Sequence, residues 1–575
     1  MEKQYKLLYS VNDHPSWGNW ILFGCQQMML VLSGILVVPF LVSSTICPGA
    51  DIIDMRVKLI AGTFVSSGIA TIVQTTFGLR LPVLHGPSFA FIPTLIAFAN
   101  LPENKCNADV NTVVPEEEYI DKLLTIQGSL FVAVLVMPFI ACTGLVGVFS
   151  KFVGPVTTCP LMIMLCMGSV PTAAEKMSLH WISIVQFCIL ASFAIFLENV
   201  LVPIPYFSIA RKKFKFARVR VFGSFPYLIG VGCAWLICGI LTWTNLEPER
   251  GEARVDKNET LTVLAHSPWF QVPIPLRFGF PRFSIGLFFG FVASTFACIV
   301  ESVGDYGILA KVAMQRHPPQ SSVNRAMMAE GFGSLLSAVM GVGTAVTTYA
   351  EAIALVPVTK VACRATMQLA GTLLIILGLF TKVAALLASI PDAVVGGVLA
   401  MGMAMIAGVA LSNLQNVDLR LSRNLTIMGT AILVGSVVPK HFQDNPINSG
   451  NATVDSIFNM LFGIQMLIGG LVAFILDNTV PGATKEQRGI KTGDSMAADD
   501  FSIDDDGYSF SSPVNRFILR FPSLCKLPFI PPKRKIESVE DLRNGSFSSK
   551  ESGSSINKPF SISAPSLIHT ISAKL

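Results

Sequence analysis

Residues 20–43 read WILFGCQQMMLVLSGILVVPFLVS, a run without a charged side chain. The hydrocarbon core of a bilayer is about 30 Å thick and a helix rises about 1.5 Å per residue, so about 20 apolar residues cross it. Residues 460–476 have the same character, and so do residues 286–300 when that run is extended on both sides. These runs predict membrane-spanning helices, because a large soluble enzyme would have to hide them in several separate cores.

Charged side chains are scarce along the whole chain. Of its 575 residues, 52% are hydrophobic and 14% are charged, and the mean hydropathy is +0.59. Soluble proteins have about a quarter of their residues charged. The polar start of the chain and the length of the first apolar run indicate a cytoplasmic N-terminus at 1–18 rather than a signal peptide. Ten of the 12 cysteines show no metal-ligand spacing, so we expect no metal site.

The apolar runs are separated by Pro, Gly or charged residues and divide 19–480 into about fourteen predicted spans. Two of them, 82–99 and 343–357, are short and are interrupted by Pro, Gly or Thr. The sequence therefore predicts an all-α polytopic membrane protein, with a membrane domain over 19–480. The predicted spans are 19–44, 57–78, 82–99, 125–148, 153–172, 181–201, 223–243, 284–308, 325–341, 343–357, 365–388, 391–413, 422–439 and 456–476.

Lys and Arg cluster in the connections that follow even-numbered spans, most densely at 211–220. Basic loops remain in the cytoplasm, so this side and both termini are predicted to be cytoplasmic. The opposite side carries the acidic loop 100–124 and two glycosylation sequons, at Asn258 and Asn451. We therefore expect an integral plasma-membrane glycoprotein.

Two cysteines fall on the predicted extracellular side. Cys47 follows the first span and Cys106 lies in the acidic loop. Because this compartment is oxidising, they are a candidate disulfide pair.

The composition changes at 481–575, which is rich in Ser, Asp and Lys and contains DDFSIDDDG and PPKRKIE. This composition predicts a mostly disordered cytoplasmic tail. Residues 517–532, FILRFPSLCKLPFIPP, fit a linker and also a segment on the membrane surface, and the linker is the simpler interpretation.

Carboxylates inside predicted spans are costly and should line a cavity or meet a partner. Those near span ends, Glu198 and Asp392, are interpreted as solvated helix termini. The broken runs at 85–89 and 343–348 predict half-helices whose backbone N–H groups reach a polar ligand near the bilayer midplane, between two inverted repeats. The carboxylates inside spans are Glu301, Asp305, Glu330 and Glu351.

Five segments resemble those of animal nucleobase–ascorbate transporters, and the likeness runs from about Gly24 to Gly482. They are VESVGDY, NRAMMAEGFGSLLSAVMGVGT, SIPDAVVGGV, LSNLQNVDLRLSRNL and AFILDNTVPG. The resemblance implies the fold of bacterial uracil permease, with fourteen segments in two inverted repeats of seven. Segments 1–4 and 8–11 would form a core domain and segments 5–7 and 12–14 a gate domain, with elevator-like transport and often a homodimer.

The resemblance also implies the site. In the family's signature window, here 351–360, the first, ninth and tenth positions match, whereas Ala352 and Ala354 replace Asn and Gly. Gln27 stands where the family usually has His. The implied substrate-binding residues are Glu301, Glu351, Ser88, Phe89, Ala350, Gln26 and Gln27, and the implied coupling network is Glu330, Asp305, Thr347 and Thr348.

A Glu at the first signature position resembles nucleobase carriers, whereas ascorbate carriers have Pro. Carboxylates accept hydrogen bonds from ring N–H groups and repel an anion such as ascorbate unless a cation intervenes. The sequence therefore favours a secondary transporter for uracil or a xanthine- or hypoxanthine-like nucleobase. The residues themselves fit either Na⁺ or H⁺ as the coupling ion, and the resemblance to animal members implies Na⁺.

Four alternatives stay open at this point: a Na⁺-coupled ascorbate transporter, a sulfate- or bicarbonate-type exchanger, a carrier of another solute, and a non-transporting membrane protein whose tail serves partners. The chain contains no nucleophile–base motif and no phosphate-binding glycine loop, so an enzyme is not expected. We expect a small-molecule substrate and the lipid bilayer as partners, with no nucleic acid and no cofactor besides the coupling ion.

Overall fold

The computed structural model describes residues 7–101, 104–106, 114–149, 151–208, 213–248, 251–490 and 507–543. The chain up to residue 266 forms twelve helices and three short strands within these residues. The helices are α1 (Trp17–Leu30), α2 (Leu32–Ile46), α3 (Ile52–Thr76), α4 (Ile92–Ala99), α5 (Glu116–Val134), α6 (Val136–Thr143), α7 (Leu145–Phe149), α8 (Pro155–Ser178), α9 (Ile182–Ala191), α10 (Val221–Ser224), α11 (Pro226–Trp243) and α12 (Asn258–His266). The strands are β1 (His85–Pro87), β2 (Val202–Ser208) and β3 (Lys213–Val219).

The chain from residue 285 to 479 adds nine helices and one strand. The helices are α13 (Ile285–Val312), α14 (Gln320–Val339), α15 (Ala350–Thr359), α16 (Arg364–Leu379), α17 (Thr381–Ala388), α18 (Asp392–Asn413), α19 (Ser422–Asp444), α20 (Ala452–Gly463) and α21 (Gln465–Thr479). The strand is β4 (Val346–Thr348), which pairs with β1, while β2 pairs with β3.

Eight helices within the described residues are long and apolar enough to cross a membrane, or up to ten if two bent pairs are each one span. The bends are 82° between α16 and α17 and 72° between α20 and α21. They arise because Phe380 (φ −85°, ψ 85°) and Ile464 (φ −91°, ψ 104°) leave the helical conformation. The sequence had predicted a single run at each place. The count of fourteen spans and the inverted repeats remain predictions.

Helix α5 begins at Glu116, nine residues before the predicted span. Its first turn contains Glu116, Glu117 and Glu118. Negative side chains stabilise the positive end of a helix, so the acidic loop continues directly into the helix.

The helices pack in two sets. In one, α3 contacts α14, α16 and α17; in the other, α8 contacts α18, α19 and α21. Glycines allow the closest approaches: a Cβ on Gly68 would lie 2.5 Å from the carbonyl oxygen of Gly371, and one on Gly435 would lie 2.8 Å from Cα of Gly469. Small residues at helix crossings are the common solution in membranes, where close packing drives helix association.

Asp392 is not a solvated helix terminus, so that interpretation is wrong. Its side chain is 20% exposed and forms ion pairs with Arg56 at 2.6 Å and with Lys176 at 3.2 Å. Lys176 also donates to Oγ of Ser44 at 3.2 Å. One carboxylate thus connects α3, α8 and α18, which are distant in sequence.

The structure joins Cys47, just after α2, to Cys106 by a disulfide with a Cα–Cα distance of 5.7 Å. The sequon residues Asn258 and Asn451 are both exposed, at the start of α12 and just before α20.

The prediction of a disordered tail is wrong for residues 507–543. They form the helices Ser512–Arg520 and Lys533–Arg543, and Tyr508 is buried. Residues 481–490 also pack, because Arg488 forms an ion pair at 2.8 Å with the buried Asp477 of α21. The remaining predicted tail, 491–506 and 544–575, lies outside the described residues.

Removing the Asp392 carboxylate should destabilise the protein, because Arg56 and Lys176 would remain partly buried without a counter-charge. We expect Asp392→Ala to lower the free energy of unfolding by about 3 kcal/mol. Asp444→Ala removes an exposed partner of Lys440 and should cost less than about 1 kcal/mol. Thermal unfolding of the purified protein in detergent compares the two variants. Equal melting temperatures would contradict the role given to Asp392.

The disulfide predicts a count of reactive thiols. The chain has 12 cysteines and two of them are paired, so denatured protein should take up ten maleimide groups without a reductant and 12 with one. In Cys106→Ser the count should be 11 under both conditions. An identical count for the unsubstituted chain with and without a reductant would rule the bond out.

Candidate functional site

Two interrupted segments cross at the centre of the site. Strand β1 pairs antiparallel with β4, with His85 opposite Thr348 and Pro87 opposite Val346. Two further backbone hydrogen bonds extend the pair, from N of Ser88 to O of Ala345 at 2.8 Å and from N of Tyr349 to O of Leu84 at 2.9 Å. The predicted breaks at 85–89 and 343–348 are therefore adjacent in space.

Glycine makes this crossing sterically feasible. A Cβ on Gly86 would lie 2.3 Å from the ring of Tyr349, so no larger residue fits there without a shift. Gly343 has φ +89°, a left-handed conformation that side chains other than glycine rarely adopt. Both segments become helical directly after the crossing, at Phe89 and at Ala350. The first N–H groups of a helix have no acceptor one turn earlier. Here N of Ala90 donates to Oγ of Ser88 and N of Ala352 to O of Tyr349, whereas the N–H groups of Phe89 and Ala350 have no backbone acceptor among the described residues and can meet a polar ligand.

Glu351 lies in the first turn of α15, one residue after Ala350, and both are buried. Its Oε1 atom has no hydrogen-bond partner among the described residues. Glu301 is buried on α13, which contacts α15, and its carboxylate lies within electrostatic range of Glu330 and Glu351. The structure thus brings together three carboxylates that are up to fifty residues apart in sequence.

Glu330, fully buried on α14, is the acceptor of a hydrogen-bond network. Its Oε1 accepts from Oγ of Ser302 at 2.6 Å, and its Oε2 accepts from the hydroxyl of Tyr306 at 2.5 Å. Oγ of Ser302 is also 3.2 Å from Oγ1 of Thr347 on β4. Helix α13, helix α14 and the strand crossing are therefore held together through one carboxylate.

His85 is the principal residue of this region that the sequence did not single out. Its side chain is fully buried, its Nε2 atom is 3.8 Å from Oε2 of Glu330, and neither ring nitrogen has a hydrogen-bond partner among the described residues. Its backbone N donates to Oγ1 of Thr71 at 3.0 Å. The available signal was its position in a broken apolar run, where a polar residue is unusual.

Other predicted residues lie around this centre. Asp305 is one turn beyond Glu301 on α13, is buried, and has no partner for its Oδ2 atom among the described residues. Oγ of Ser88 accepts a hydrogen bond from N of Ala90 at 3.3 Å, which caps the short helix that begins at the buried Phe89. Both predicted residues of the third segment are thus held beside the crossing.

Gln26 and Gln27 are buried on α1, which contacts α15. Nε2 of Gln26 and Oε1 of Gln27 have no partner among the described residues. Two amide groups are therefore held in the protein interior with hydrogen-bonding capacity to spare.

The carboxylates of this site meet no permanently charged cation within the part of the chain that the structure describes, and the basic group beside Glu330 is the imidazole of His85, at 3.8 Å. Among the described residues, no Lys or Arg forms an ion pair with Glu301, Glu330 or Glu351. An uncompensated buried charge is expensive, so each group must share a proton, a cation or a hydrogen-bond donor. The arrangement can therefore bind a ligand rich in N–H groups, a cation, or both.

A cavity of about 370 Å³ lies elsewhere, beside the first half of α3. Lys58, His266 and Arg277 line it, and it contains none of the predicted site residues. Asp54, which also lines it, is 17 residues from Thr71 on the same helix, about 25 Å along its axis. This cavity is separate from the carboxylate site.

Similarity to known proteins identifies the family. A family model described as "Permease family", Xan_ur_permease, matches residues 18–444. Solute carrier family 23 member 2 of Rattus norvegicus is 34% identical over 498 residues, covering 84% of this chain and 76% of the relative. Nucleobase-ascorbate transporter 12 of Arabidopsis thaliana is 26% identical over 530 residues, covering 84% of this chain and 71% of the relative.

Among solved structures, the transmembrane domain of the cyanobacterial bicarbonate transporter BicA aligns with 82% of this chain and 99% of that domain. The TM-score is 0.40 at 14% identity, too low to carry an argument. The match of the family model over most of the chain, together with the 34% identity, shows that this chain belongs to the nucleobase–ascorbate transporter family.

Proposed function

We propose that this protein is a secondary transporter that moves a neutral nucleobase across the membrane together with a cation. The observation that carries the proposal is the set of buried carboxylates, Glu301, Glu330 and Glu351, which form no ion pair with any described Lys or Arg. They lie where two broken helices cross, which is where transporters of this architecture place their substrate.

A nucleobase ring supplies hydrogen-bond donors for Glu351 and Glu301. The unpartnered Oε1 of Glu351 accepts a ring N–H, and Glu301 on the neighbouring helix accepts a second one. The free N–H groups at the starts of the two half-helices donate to the ring carbonyls. The rings of uracil and xanthine carry alternating N–H donors and carbonyl acceptors. Plant relatives of this chain are named nucleobase-ascorbate transporters.

A cation completes the charge balance. Oxygen atoms of Glu330, Ser302 and Thr347 are already clustered, and the nearby Asp305 has a free carboxylate oxygen. Such oxygens suit a hard cation such as Na⁺. A proton shared between Glu330 and His85 is the competing form of coupling, favoured by their separation of 3.8 Å.

The two packing sets support an elevator-type movement. One set contains the half-helices with α3, α13, α14, α16 and α17, and the other contains α8, α9, α18, α19 and α21. Helix α13 contacts both sets, since it also packs against α8, α20 and α21. In this proposal the first set moves as the core domain, carrying the substrate past the second set, the gate domain.

The two signature departures differ in their consequences. Ala354 is exposed, so its methyl group crowds no buried neighbour. Ala352 is buried, and its N–H donates to O of Tyr349 at 3.1 Å, so the helix start is intact. What Ala352 removes is a side-chain amide beside Glu351, which changes specificity rather than the fold.

Ascorbate is the second candidate substrate, because the relatives named nucleobase-ascorbate transporters include it by name. It is an anion, and the carboxylates would repel it unless bound cations outnumber them.

Uptake measurements separate these possibilities. Cells that express the protein should accumulate labelled uracil or xanthine saturably, and accumulation should fall at least tenfold when Na⁺ is replaced by an organic cation. Surface biotinylation confirms the amount of protein at the membrane. Saturable uptake of ascorbate alone would reject the nucleobase, and uptake driven by a pH gradient without Na⁺ would reject Na⁺ coupling. No uptake of either substrate by surface-expressed protein would reject transport of this class.

Glu351→Gln tests the assigned site. The amide keeps the size but loses the negative charge, so a hydrogen bond to a charged group worth about 1.5–3 kcal/mol weakens and the apparent affinity for the nucleobase falls about tenfold or more. Glu118→Gln is the matched control, since that side chain is 59% exposed at the start of α5 and should leave the affinity unchanged. An unaltered affinity in Glu351→Gln, at normal surface expression, would show that Glu351 does not bind the substrate.

A further inference from the structure

Residues 507–543, the tail segment, are fastened to the start of α14. The backbone carbonyl of Tyr508 accepts a hydrogen bond from Nη2 of Arg325 at 2.8 Å. The side-chain hydroxyl of Tyr508 donates to the backbone O of Arg316 at 2.6 Å. The guanidinium of Arg325 also lies 4.2 Å from the ring centroid of Phe510. These are contacts to buried or half-buried groups, so the segment is anchored rather than loosely apposed.

A second anchor lies twenty residues further along. The carbonyl of Pro528 accepts from Nδ2 of Asn324 at 3.1 Å, and Oδ1 of Asn324 accepts from N of Gly147 on α7 at 3.1 Å. A Cβ on Gly144 would lie 3.0 Å from Cβ of Pro528, so the chain passes directly over the junction between α6 and α7. The tail segment is thus tied to α14 and to this junction.

The helix between the anchors, Ser512–Arg520, has two different faces. Asn515 and Ile518 are buried, whereas Arg516, Phe517 and Arg520 are exposed. Residues three and four apart lie on one side of a helix, so the exposed residues form a single stripe. The ring of Phe521, also exposed, is 5.3 Å from that of Phe517 and extends the stripe.

This exposed face continues towards an exposed apolar surface of the membrane domain. The junction under Pro528 is flanked by exposed apolar side chains of a candidate membrane span and of α7: Phe139 is 68% exposed, Leu145 51% and Val148 49%. Leu527, next to Pro528, is itself exposed. The tail segment therefore lies beside the exposed apolar end of a candidate membrane span, on the side predicted to be cytoplasmic.

The charge of the tail segment complements an anionic membrane. Residues 512–534 contain five Lys and Arg and no Asp or Glu. Arg516, Arg520 and Lys526 form no ion pair with any residue of the described ranges, and all three are exposed. Basic amphipathic segments with aromatic residues bind the negatively charged lipids of the cytoplasmic leaflet.

We propose that the exposed face of the tail segment, formed by Arg516, Phe517, Arg520, Phe521, Lys526 and Leu527, binds anionic phospholipid headgroups of the inner leaflet, with phosphatidylserine as the lipid. The cations pair with the headgroups, and the two aromatic rings and Leu527 enter the interface. Because Arg325 and Asn324 hold the segment on α14, this contact couples the helix that carries Glu330 to the membrane surface. The proposal is independent of which solute is transported.

A fluorophore attached near this face reports the contact. The exposed residue Ser523 is replaced by Cys in the full chain, with the exposed cysteines Cys142 and Cys188 replaced by Ser, and labelled with an environment-sensitive dye. In nanodiscs of phosphatidylcholine with about one third phosphatidylserine, the emission should be about twofold brighter and blue-shifted relative to pure phosphatidylcholine, and about 1 M NaCl should reverse the change. A label at Asp444→Cys, exposed at the far end of α19, should not respond.

Two variants identify the groups responsible. Arg516→Gln/Arg520→Gln/Lys526→Gln should raise the phosphatidylserine fraction needed for the half-maximal change at least fivefold, since each cation contributes about a fivefold factor near the surface. Phe517→Ser/Phe521→Ser should reduce the blue shift while keeping the salt dependence. Size-exclusion elution confirms that each variant is folded. The proposal is overturned by equal emission in both lipids, by a triple variant that behaves like its parent, or by a change that depends on protein concentration, which would indicate a second copy as the partner.

Discussion

The free-energy cost of burying carboxylates away from water constrains the whole structure. Glu301, Glu330 and Glu351 are buried beside a strand crossing, and no described Lys or Arg neutralises them. A transporter needs carboxylates that lack a counter-charge in the protein, because a carboxylate already paired with Lys or Arg cannot bind a ligand or a cation. The hydrogen bonds that Ser302 and Tyr306 donate to Glu330 reduce the penalty without removing the charge.

Burying backbone polar groups without a hydrogen-bond partner is costly for the same reason. In a bilayer, every exposed N–H and C=O group must find a partner within the protein. The two interrupted segments meet this demand by pairing with each other, as β1 with β4, and Gly86 and Gly343 make the close approach feasible. In the proposed mechanism, the N–H groups at the helix starts of Phe89 and Ala350 remain for a ligand, so binding and backbone pairing occur next to each other.

Charged residues play a different role between helices. Asp392 is compensated by Arg56 and Lys176, and Asp477 by Arg423 and Arg488, so these groups fix the relative positions of helices and are not available for binding. This separates the acids that are compensated by Arg or Lys from Glu301, Glu330 and Glu351, which we propose bind the substrate and the cation. At the start of α14, Arg325 uses the same chemistry to hold the carbonyl of Tyr508.

The sequence by itself determined the membrane class, the two broken segments and the acids that lie inside spans, because solvation depends on local composition and a polar residue in an apolar run is visible without a fold. It offered Cys47 and Cys106 as a candidate pair, which the structure joins. Only the tertiary structure decided what each polar group meets. It brought His85 to Glu330, gave Asp392 its two cations and packed residues 507–543 against α14, where a disordered tail was expected. These contacts join residues tens to hundreds of positions apart, and no local pattern specifies such a partner.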